Sequence, residues 1–254
     1  MSDQFGLTGK IALVTGAAQG LGEHCARRLA ELGCTAICTD VNESGAALVA
    51  DDIKKKGGDA IAFALDVGDE VIWERVLGQI MERFGKVHIL VNNAGKLEFE
   101  VIQNMGLEMF DRMMRVNVRG TFLGCKLILP AMQAAGGGSI VNISSNSAMV
   151  SDMPGCSGYS ASKGATRSMT KGVALDYVQF NIRCNSVHPG LMATPQAAPY
   201  LADPELFKMV LGRTPMKRPA NPTEVANIVA FLASDLASFM TGSEIVADGG
   251  FLAC

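Results

Sequence analysis

The chain has 254 residues, and its 22 lysines and arginines against 25 aspartates and glutamates give a formal net charge of −3. With 48% apolar residues and so little net charge, the chain lacks the composition of a disordered protein, and no global electrostatic attraction draws it to nucleic acid or to an anionic membrane. Glycine is in excess, with 28 residues, a larger share than the roughly 7% of an average protein. We therefore expect glycines at special backbone positions of a folded core.

Short apolar runs alternate along the chain with segments of helical periodicity. The runs predict strands over residues 11–15, 35–39, 60–65, 87–91, 139–143, 182–187 and 244–247. The segments between them predict helices over residues 20–32, 43–56, 69–84, 107–115, 118–134, 158–178 and 223–233. Such alternation indicates βαβ units. We predict a single α/β domain over residues 1–254, a doubly wound (Rossmann) parallel sheet of seven strands with helices on both faces.

Two connections are longer than the others. Residues 144–157 join a strand to a helix, and residues 191–221 are rich in proline, methionine and alanine, with a short helix near 204–212. Long loops in compact domains are usually functional or disordered. We predict that residues 191–215 form a substrate loop.

The sequence gives no sign of a membrane span or a metal site. It lacks a stretch of about 18 uninterrupted apolar residues and an apolar N-terminal signal segment, so we expect a cytoplasmic protein. Its seven cysteines form no Cys-x-x-Cys pair and are expected to be reduced thiols in apolar surroundings. The histidines, His24, His88 and His188, lack the spacing of metal ligands.

The first predicted strand runs directly into the glycine-rich segment Gly16-Ala17-Ala18-Gln19-Gly20-Leu21-Gly22, and a helix follows. With this spacing one glycine allows a tight turn, one allows the backbone to approach a pyrophosphate, and one allows close packing of helix on strand. The N-terminus of the following helix favours phosphate. Alone, the segment is equally compatible with a simple glycine-rich turn.

The acid that follows the second apolar run makes the nucleotide interpretation more specific. Asp40 stands 18 residues past Gly22, where a carboxylate is suited to bind both hydroxyls of the adenosine ribose and to repel a 2′-phosphate. Gln19 and Val41 offer no cation for that phosphate, so NAD is the predicted cofactor. Asp66 ends the third run, where it is suited either to the adenine edge or to capping the next helix.

Tyr159 and Lys163 stand at positions i and i+4 of a predicted helix and therefore share one face. This spacing is also common in ordinary amphipathic helices, but the preceding strand delivers Ser144 and Ser145 to its carboxyl end, where the crevice of a doubly wound sheet lies. A nearby cation favours the charged form of tyrosine, whose ordinary pKa is near 10. The pattern predicts Tyr159 as a general base or acid assisted by Lys163, and a serine that binds the substrate oxygen. The candidates for this serine are Ser145, the adjacent Ser144 and, farther along the chain, Ser147.

Further motifs complete an ordered set along the chain. They are Thr15-Gly16-x-x-x-Gly20-x-Gly22, Asp66, Asn92-Asn93-Ala94-Gly95, Asn117, Ser145, Tyr159-x-x-x-Lys163 and Pro189-Gly190. In these motifs, over nearly its whole length, the sequence resembles the short-chain dehydrogenase/reductase family. The segments Gly-Gly-Gly-Ser-Ile-Val-Asn-Ile-Ser-Ser and Asn-Ser-Val-His-Pro-Gly are similar to those of bacterial NAD-dependent hydroxysteroid dehydrogenases.

The resemblance implies a catalytic tetrad of Asn117, Ser145, Tyr159 and Lys163, in which Lys163 also holds the nicotinamide ribose. It implies that Asn117 joins a water-linked proton relay, with a structural helix bend as the other role for this residue. It further implies a homotetramer, and, for Asn93 to Gly95, both strand tying and cofactor contact. The expected cofactor contacts are Gly16, Gln19, Gly20, Leu21, Gly22, Asp40, Val41, Asp66, Val67, Asn93, Ala94, Gly95, Tyr159, Lys163, Pro189, Gly190 and Thr194.

We expect the substrate pocket to form from residues 95–99, 146–156 and 191–215, whose mostly apolar side chains suit an uncharged hydrophobic molecule. Its expected lining is Leu97, Ser147, Met153, Leu191, Met192 and Phe207, although several apolar residues of these segments are equally suited to a lid or a subunit interface. The sequence thus predicts an NAD-dependent dehydrogenase for a cyclic, steroid- or terpene-like secondary alcohol. The alternatives are an NADPH-dependent 3-oxoacyl-type ketoreductase, which Asp40 disfavours, and a catalytically silent nucleotide-binding scaffold, which the tetrad disfavours.

Overall fold

The computed structural model describes residues 3–151, 153–202 and 204–253. The ends of the predicted domain 1–254 and residue 203 of the predicted substrate loop therefore lie outside the described residues.

A parallel sheet forms the centre of the fold. Within the described ranges it has seven strands, β1 (Ile11–Thr15), β2 (Thr35–Asp40), β3 (Asp59–Ala64), β4 (Ile89–Asn92), β5 (Gly138–Ile143), β6 (Ile182–Pro189) and β7 (Glu244–Ala247). Their order is β3-β2-β1-β4-β5-β6-β7, and each neighbouring pair is parallel. The predicted doubly wound α/β fold is confirmed.

Helices cover both faces of the sheet. They are α1 (Gly20–Glu31), α2 (Glu43–Lys55), α3 (Glu70–Phe84), α4 (Leu107–Met114), α5 (Gly120–Ala134), α6 (Ser157–Tyr177), α7 (Ala198–Ala202), α8 (Pro204–Gly212) and α9 (Pro222–Ala233). The helices α1, α2 and α9 enclose one apolar cluster, and α3, α5 and α6 enclose the other. Successive residues of β1 alternate between them, since Ala12 and Val14 belong to the first cluster and Leu13 to the second. Because both faces are covered, β1 is apolar at nearly every position.

The two helices predicted over 107–115 and 118–134 are joined without a loop. A π-helical turn over Arg115–Arg119 connects α4 to α5. Beyond it, α5 continues through Pro130 and ends at Ala134. The π turn is a single wider turn of the kind often found at functional sites, and it contains Asn117.

The carboxyl ends of the strands meet along one edge of the sheet. Thr15, Asp40, Asn92, Ile143 and Pro189 each end a strand there. The chain builds the sheet outward from β1 through β2 and β3, and then returns to place β4 on the opposite side of β1. This reversal of direction opens a crevice outside the carboxyl ends of β1 and β4, where doubly wound sheets bind ligands.

The described ranges were also compared with the requirements of a membrane span, a metal site and a disulfide. No helix among these residues combines the length and the apolar character needed to cross a bilayer. No three side chains of His, Cys, Asp or Glu in the same ranges lie together in a way that could hold a metal ion. The cysteines that the structure describes are buried free thiols.

Gly22, in the first turn of α1, packs directly against the segment that precedes the helix. A Cβ atom at this position would overlap the carbonyl oxygen of Gly16 and the side-chain amide of Asn93, and would stand 2.7 Å from the carbonyl carbon of Gly16. The missing side chain therefore lets α1 begin close to the end of β1.

We expect Gly22→Ala to lower the free energy of unfolding by about 1–3 kcal/mol, because the new methyl group meets backbone that has no room to move. The matched control is Gly78→Ala in α3, where a Cβ meets nothing within 4 Å. That change should raise the free energy of unfolding by about 0.5–1 kcal/mol, the usual gain of alanine over glycine in a helix. Urea unfolding of both variants tests the prediction, which fails if Gly22→Ala is as stable as the original chain.

Candidate active site

A cleft of about 520 Å³ runs along the carboxyl edge of the sheet, at the crevice between β1 and β4. Its lining includes every residue expected to contact a cofactor except Gly22, which packs behind the glycine segment. It also includes Ser145, Ser144 and Met192, which the sequence predicted for the catalytic serine, its alternative and the substrate pocket. The lining residues that were not predicted are Leu65, Lys96, Val116, Ile143, Pro195 and Gln196. Each of them stands one or two positions from a predicted site residue, and this adjacency is the signal that could have found them.

The glycine segment provides a bare backbone surface at one end of the cleft. Gly16 has a φ of +66°, in the left-handed region that favours glycine. A Cβ at this residue would lie 2.9 Å from the Cα of Ala94, on the β4 side of the crevice. Helix α1 begins at Gly20 without a side-chain cap from Gln19, so the first N–H groups of the helix are left for a ligand. This arrangement fits the pyrophosphate of a dinucleotide.

Asp40 is held in a fixed direction at the end of β2. Its carboxylate accepts hydrogen bonds from the backbone N–H of Ala18, at 3.1 Å, and of Asn42, at 2.9 Å. Among the described residues that line the cleft, the basic ones are Lys96 and Lys163. Asp40 therefore presents a fixed carboxylate acceptor to the cleft.

Asp66 does not cap helix α3, because Asp69 occupies the cap position and accepts the N–H of Ile72. The carboxylate of Asp66 instead forms a bidentate ion pair with Arg115, with N···O distances of 3.1 and 2.8 Å. Burial raises the pKa of Asp66, but the hydrogen bonds from Arg115 and from the Gly68 backbone N–H outweigh it and hold the pKa below its ordinary value. Asp66 thus lines the cleft as an ionised acceptor.

The segment after β4 ties two strands together and also lines the cleft. The side-chain amide of Asn93 donates to the carbonyls of Thr15, at 2.9 Å, and Gly16, at 3.1 Å. The backbone N–H groups of Asn93 and Ala94 both donate to the Thr15 hydroxyl, at 3.0 Å. The end of β4 therefore holds the glycine segment in place, while Asn93, Ala94 and Gly95 also line the cleft.

Lys163 is the most unusual titratable group of the cleft. It lies on α6, is only 4% exposed, and donates from Nζ to the carbonyl of Ile143 at 2.8 Å. Burial lowers the pKa of Lys163 to about 8. Its ammonium stands 5.8 Å from the ring centre of Tyr159, one helical turn earlier. The predicted proximity of these two side chains is thus present in the structure.

The two candidate serines have different environments. The Ser144 hydroxyl donates to the carbonyl of Lys163 at 2.9 Å, which binds the end of β5 to α6. The Ser145 hydroxyl accepts the N–H of Ser147 at 3.1 Å and donates to the side-chain oxygen of Asn146 at 3.2 Å. Exchange of the bond to Asn146 would let the Ser145 hydroxyl bind a ligand, whereas the Ser144 hydroxyl is engaged with a backbone carbonyl of another element.

Asn117 has a structural role in the π turn. Its side chain accepts the N–H of Lys96 at 2.7 Å and donates to the Lys96 carbonyl at 2.9 Å and to the Ser162 hydroxyl at 2.8 Å. A Cβ built on Gly95 would lie 3.3 Å from Lys163 Nζ and 3.6 Å from Asn117 Oδ1. Asn117 thus stands beside Lys163 and joins the segment after β4 to α6, although it does not itself line the cleft.

A second, smaller cavity of about 140 Å³ opens next to the cleft. Of the expected pocket residues, Leu97, Ser147, Met153, Leu191 and Met192 line it. Phe207 is not among its lining residues, and its side chain is partly exposed on α8. The sequence interpretation did not select Asn146, Cys156, Gln196 and Ala197, which also line the cavity. Asn146 and Cys156 belong to the long connection 144–157, whose length was the one signal that pointed to them.

The chain matches a family model described as "Enoyl-(Acyl carrier protein) reductase" over residues 16–252. It is 43% identical over 245 residues to a cyclopentanol dehydrogenase from Comamonas sp., an alignment that covers 96% of this chain and 97% of the relative.

Solved structures of similar fold carry either form of nicotinamide cofactor. A gluconate 5-dehydrogenase from Burkholderia cenocepacia in complex with NADP and tartrate has a TM-score of 0.95 and 32% identity, covering 99% of this chain and 98% of that one. A 7α-hydroxysteroid dehydrogenase complexed with NADH and a 7-oxo bile acid has a TM-score of 0.93 and 33% identity, covering 98% and 97%. With a family model that spans most of the chain and a relative at 43% identity over nearly its full length, this chain is an oxidoreductase that belongs to the short-chain dehydrogenase/reductase family.

Proposed function

We propose that the chain is an NAD-dependent dehydrogenase that interconverts a hydrophobic cyclic secondary alcohol and its ketone. The observation that carries this proposal is that Ser145 and Tyr159 line both the large cleft and the small cavity. An alcohol in the small cavity would therefore meet two hydroxyl groups at the boundary with the cleft. A nicotinamide cofactor bound in the cleft supplies the acceptor for the hydride that leaves the alcohol carbon.

Tyr159 takes the alcohol proton during oxidation and returns it during reduction. A phenol is a poor base at neutral pH, but a cation within several ångströms favours the phenolate. The Lys163 ammonium supplies that charge from its position near the Tyr159 ring. The carbonyl of Ile143 keeps Nζ in this position, so the charge does not have to be brought in during each turnover.

Ser145 would bind the substrate oxygen by exchanging its bond to Asn146 for one to the alcohol or carbonyl. A donor placed there stabilises the oxygen as charge develops on it. Asn117 holds the segment that contains Lys96 close to Lys163, and we include it in the proposal as a member of a water-linked proton relay from Lys163.

The class of substrate follows from the lining of the small cavity. Its walls include Leu97, Phe99, Met153, Leu191 and Met192, and none of the described lining residues carries a charged side chain. Such a lining offers no charged partner to a carboxylate or phosphate, and its apolar walls favour an uncharged hydrophobic molecule with a single polar group. The cyclopentanol dehydrogenase among the relatives supports a cyclic alcohol in particular.

The preference for NAD rests on Asp40. Backbone N–H groups hold both of its carboxylate oxygens. The negative charge is therefore fixed in place and would repel an adenosine 2′-phosphate. Val41, the next residue, is largely exposed and adds no cation. A 2′-hydroxyl is therefore favoured over a 2′-phosphate.

Tyr159→Phe tests the proposed chemistry. With NAD and a panel of alcohols from cyclopentanol to a hydroxysteroid, the original chain should generate NADH absorbance, and the variant should lose roughly 10²–10⁴-fold in kcat, the range for a general acid or base. Its affinity for NAD, measured by calorimetry, should be little changed. Tyr177→Phe, at the end of the same helix where the ring packs near Phe180, is the control and should retain turnover. Normal turnover by Tyr159→Phe would overturn the assignment.

Lys163→Met tests the burial of the ammonium through the pH dependence of stability. The folded-state pKa near 8 lies below the ordinary value of 10.5, so between these pH values the unfolded chain holds a proton that the folded chain has released. The original chain should therefore gain stability relative to Lys163→Met as the pH rises from 8 to 10.5, by up to about 3 kcal/mol. Below pH 8 the difference should be constant.

Urea unfolding across this pH range measures the effect, and Lys171→Met, which removes an exposed ammonium from the same helix, is the control. Parallel stability curves for the original chain and Lys163→Met would contradict a depressed pKa.

Asp40→Ala tests the cofactor preference. Loss of hydrogen bonds to a charged group should weaken NAD binding by about 10–100-fold, and removal of the repulsion should let NADP support measurable turnover. Asp59→Ala, at the opposite edge of the sheet and exposed, is the control. If the ratio of NAD to NADP efficiency is the same for Asp40→Ala as for the original chain, Asp40 does not set the preference.

A further inference from the structure

His188 is a fully buried histidine that the chemistry above does not use. It lies on β6, immediately before Pro189 and Gly190, and is 0% exposed. Its ring joins its own strand to the segment that follows β5, since Nε2 stands 2.8 Å from the hydroxyl of Ser186 on β6 and Nδ1 stands 3.1 Å from the carbonyl oxygen of Ser145. A buried polar ring with both nitrogens engaged has a defined orientation.

These contacts assign the tautomer of the ring. A carbonyl oxygen only accepts, so the nitrogen that faces Ser145, Nδ1, carries the proton. In the neutral ring Nε2 then has a lone pair, which accepts the hydroxyl hydrogen of Ser186. The hydroxyl of Ser186 also lies 3.4 Å from the carbonyl of Ser243, but the contact to His188 is the shorter one.

The charges near His188 come from two elements, α6 and β7. Burial lowers the pKa of His188, and the charges of Arg167 and Lys163 on α6 lower it further, while the bond to Ser145 and the charge of Glu244 on β7 raise it. The pKa lies below its ordinary value, so the ring is neutral at pH 7. The Nδ1–H bond to Ser145 is the same in the neutral and the charged ring, because Nδ1 carries a proton in both forms.

Ser145 needs such an attachment because it stands just beyond the end of a strand. The backbone pairing of β5 with β6 extends to Ser144, whose N–H donates to the carbonyl of Val187 at 2.8 Å. At Ser145 the chain turns away into a short 3₁₀ turn, Asn146–Ala148, and the carbonyl of Ser145 accepts the N–H of Ala148 at 3.0 Å. The bond from His188 fixes the same carbonyl from the side of the sheet.

We propose that His188 is a positioning residue for the alcohol reaction, in which its Nδ1–H holds the Ser145 carbonyl and thereby directs the Ser145 hydroxyl toward the substrate oxygen. This inference rests on the proposed function of Ser145. It assigns His188 no contact with substrate or cofactor. Pro189 and Gly190 follow His188 directly and line the cleft. The bond from His188 to Ser145 therefore also sets the distance between the end of β6 and the segment that follows β5.

Two amide variants separate the nitrogens of the ring. In His188→Asn the side-chain nitrogen stands as many bonds from Cα as Nδ1, so it retains a donor for Ser145. In His188→Gln the amide reaches toward Ser186 and the donor to Ser145 is lost. We expect His188→Gln to lose roughly 10–100-fold in kcat, the scale of a misplaced catalytic group, and His188→Asn to retain most of the kcat. The opposite order would overturn the proposal.

A double-mutant cycle shows whether His188 acts through Ser145. Ser145→Ala alone should reduce kcat, and this loss tests the proposed function itself. In the Ser145→Ala background, adding His188→Gln should change kcat by less than about threefold, because the hydroxyl that it would misdirect is absent. Equal fold losses in both backgrounds would show that His188 acts independently of Ser145 and overturn the positioning role.

His88→Gln is the matched control. His88 also uses Nδ1 to bond backbone, the N–H of Ile11 at 2.9 Å, but at the amino edge of the sheet. The His88→Gln variant should have an altered melting temperature and an unchanged kcat. A loss of kcat in His88→Gln as large as that in His188→Gln would identify a general packing effect and overturn the proposal.

Discussion

Parallel pairing of the strands is the constraint on which the rest of this structure depends. Because helices cover both faces of the sheet, the central strand β1 is apolar at nearly every position, and the polar side chains of the site lie where strands end. The chain returns from β3 to the far side of β1. This return separates the connection after β1 from the connection after β4 and opens the crevice between them. Both cavities of the proposed site, and the residues at their boundary, lie on this one edge.

Three buried polar side chains at that edge are each bonded to another segment of the chain. The Lys163 ammonium is bound by the Ile143 carbonyl, Asn117 by Lys96, and His188 by Ser145. An unpaired group at such depth would be costly, so each bond restricts the position of two chain segments at once. Burial of Lys163 lowers its pKa to about 8 and costs stability, but below that pH it places a positive charge near Tyr159.

Several parts of the site were predictable because they depend on neighbours in the sequence. The glycine segment, Asp40 and the pair Tyr159 and Lys163 each belong to one strand–helix connection or one helical turn, and their spacing is readable directly. The interactions of Asp66 were not predictable, since its ion pair with Arg115 joins residues 49 positions apart. The location of Phe207 outside the small cavity reflects the orientation of α8, which no local pattern records. Assembly into a homotetramer stays a prediction.

The sequence by itself determined the α/β class, the seven strands, the family and the residue types available for chemistry, because apolar periodicity and motif spacing are local properties. Only the tertiary structure distinguishes the surroundings of Ser144 from those of Ser145, since the hydroxyl of Ser144 donates to the carbonyl of Lys163 on another element. It alone revealed the contact of His188 with Ser145, 43 residues away. Such choices depend on which segments meet at the sheet edge, and that is settled by packing of the whole chain.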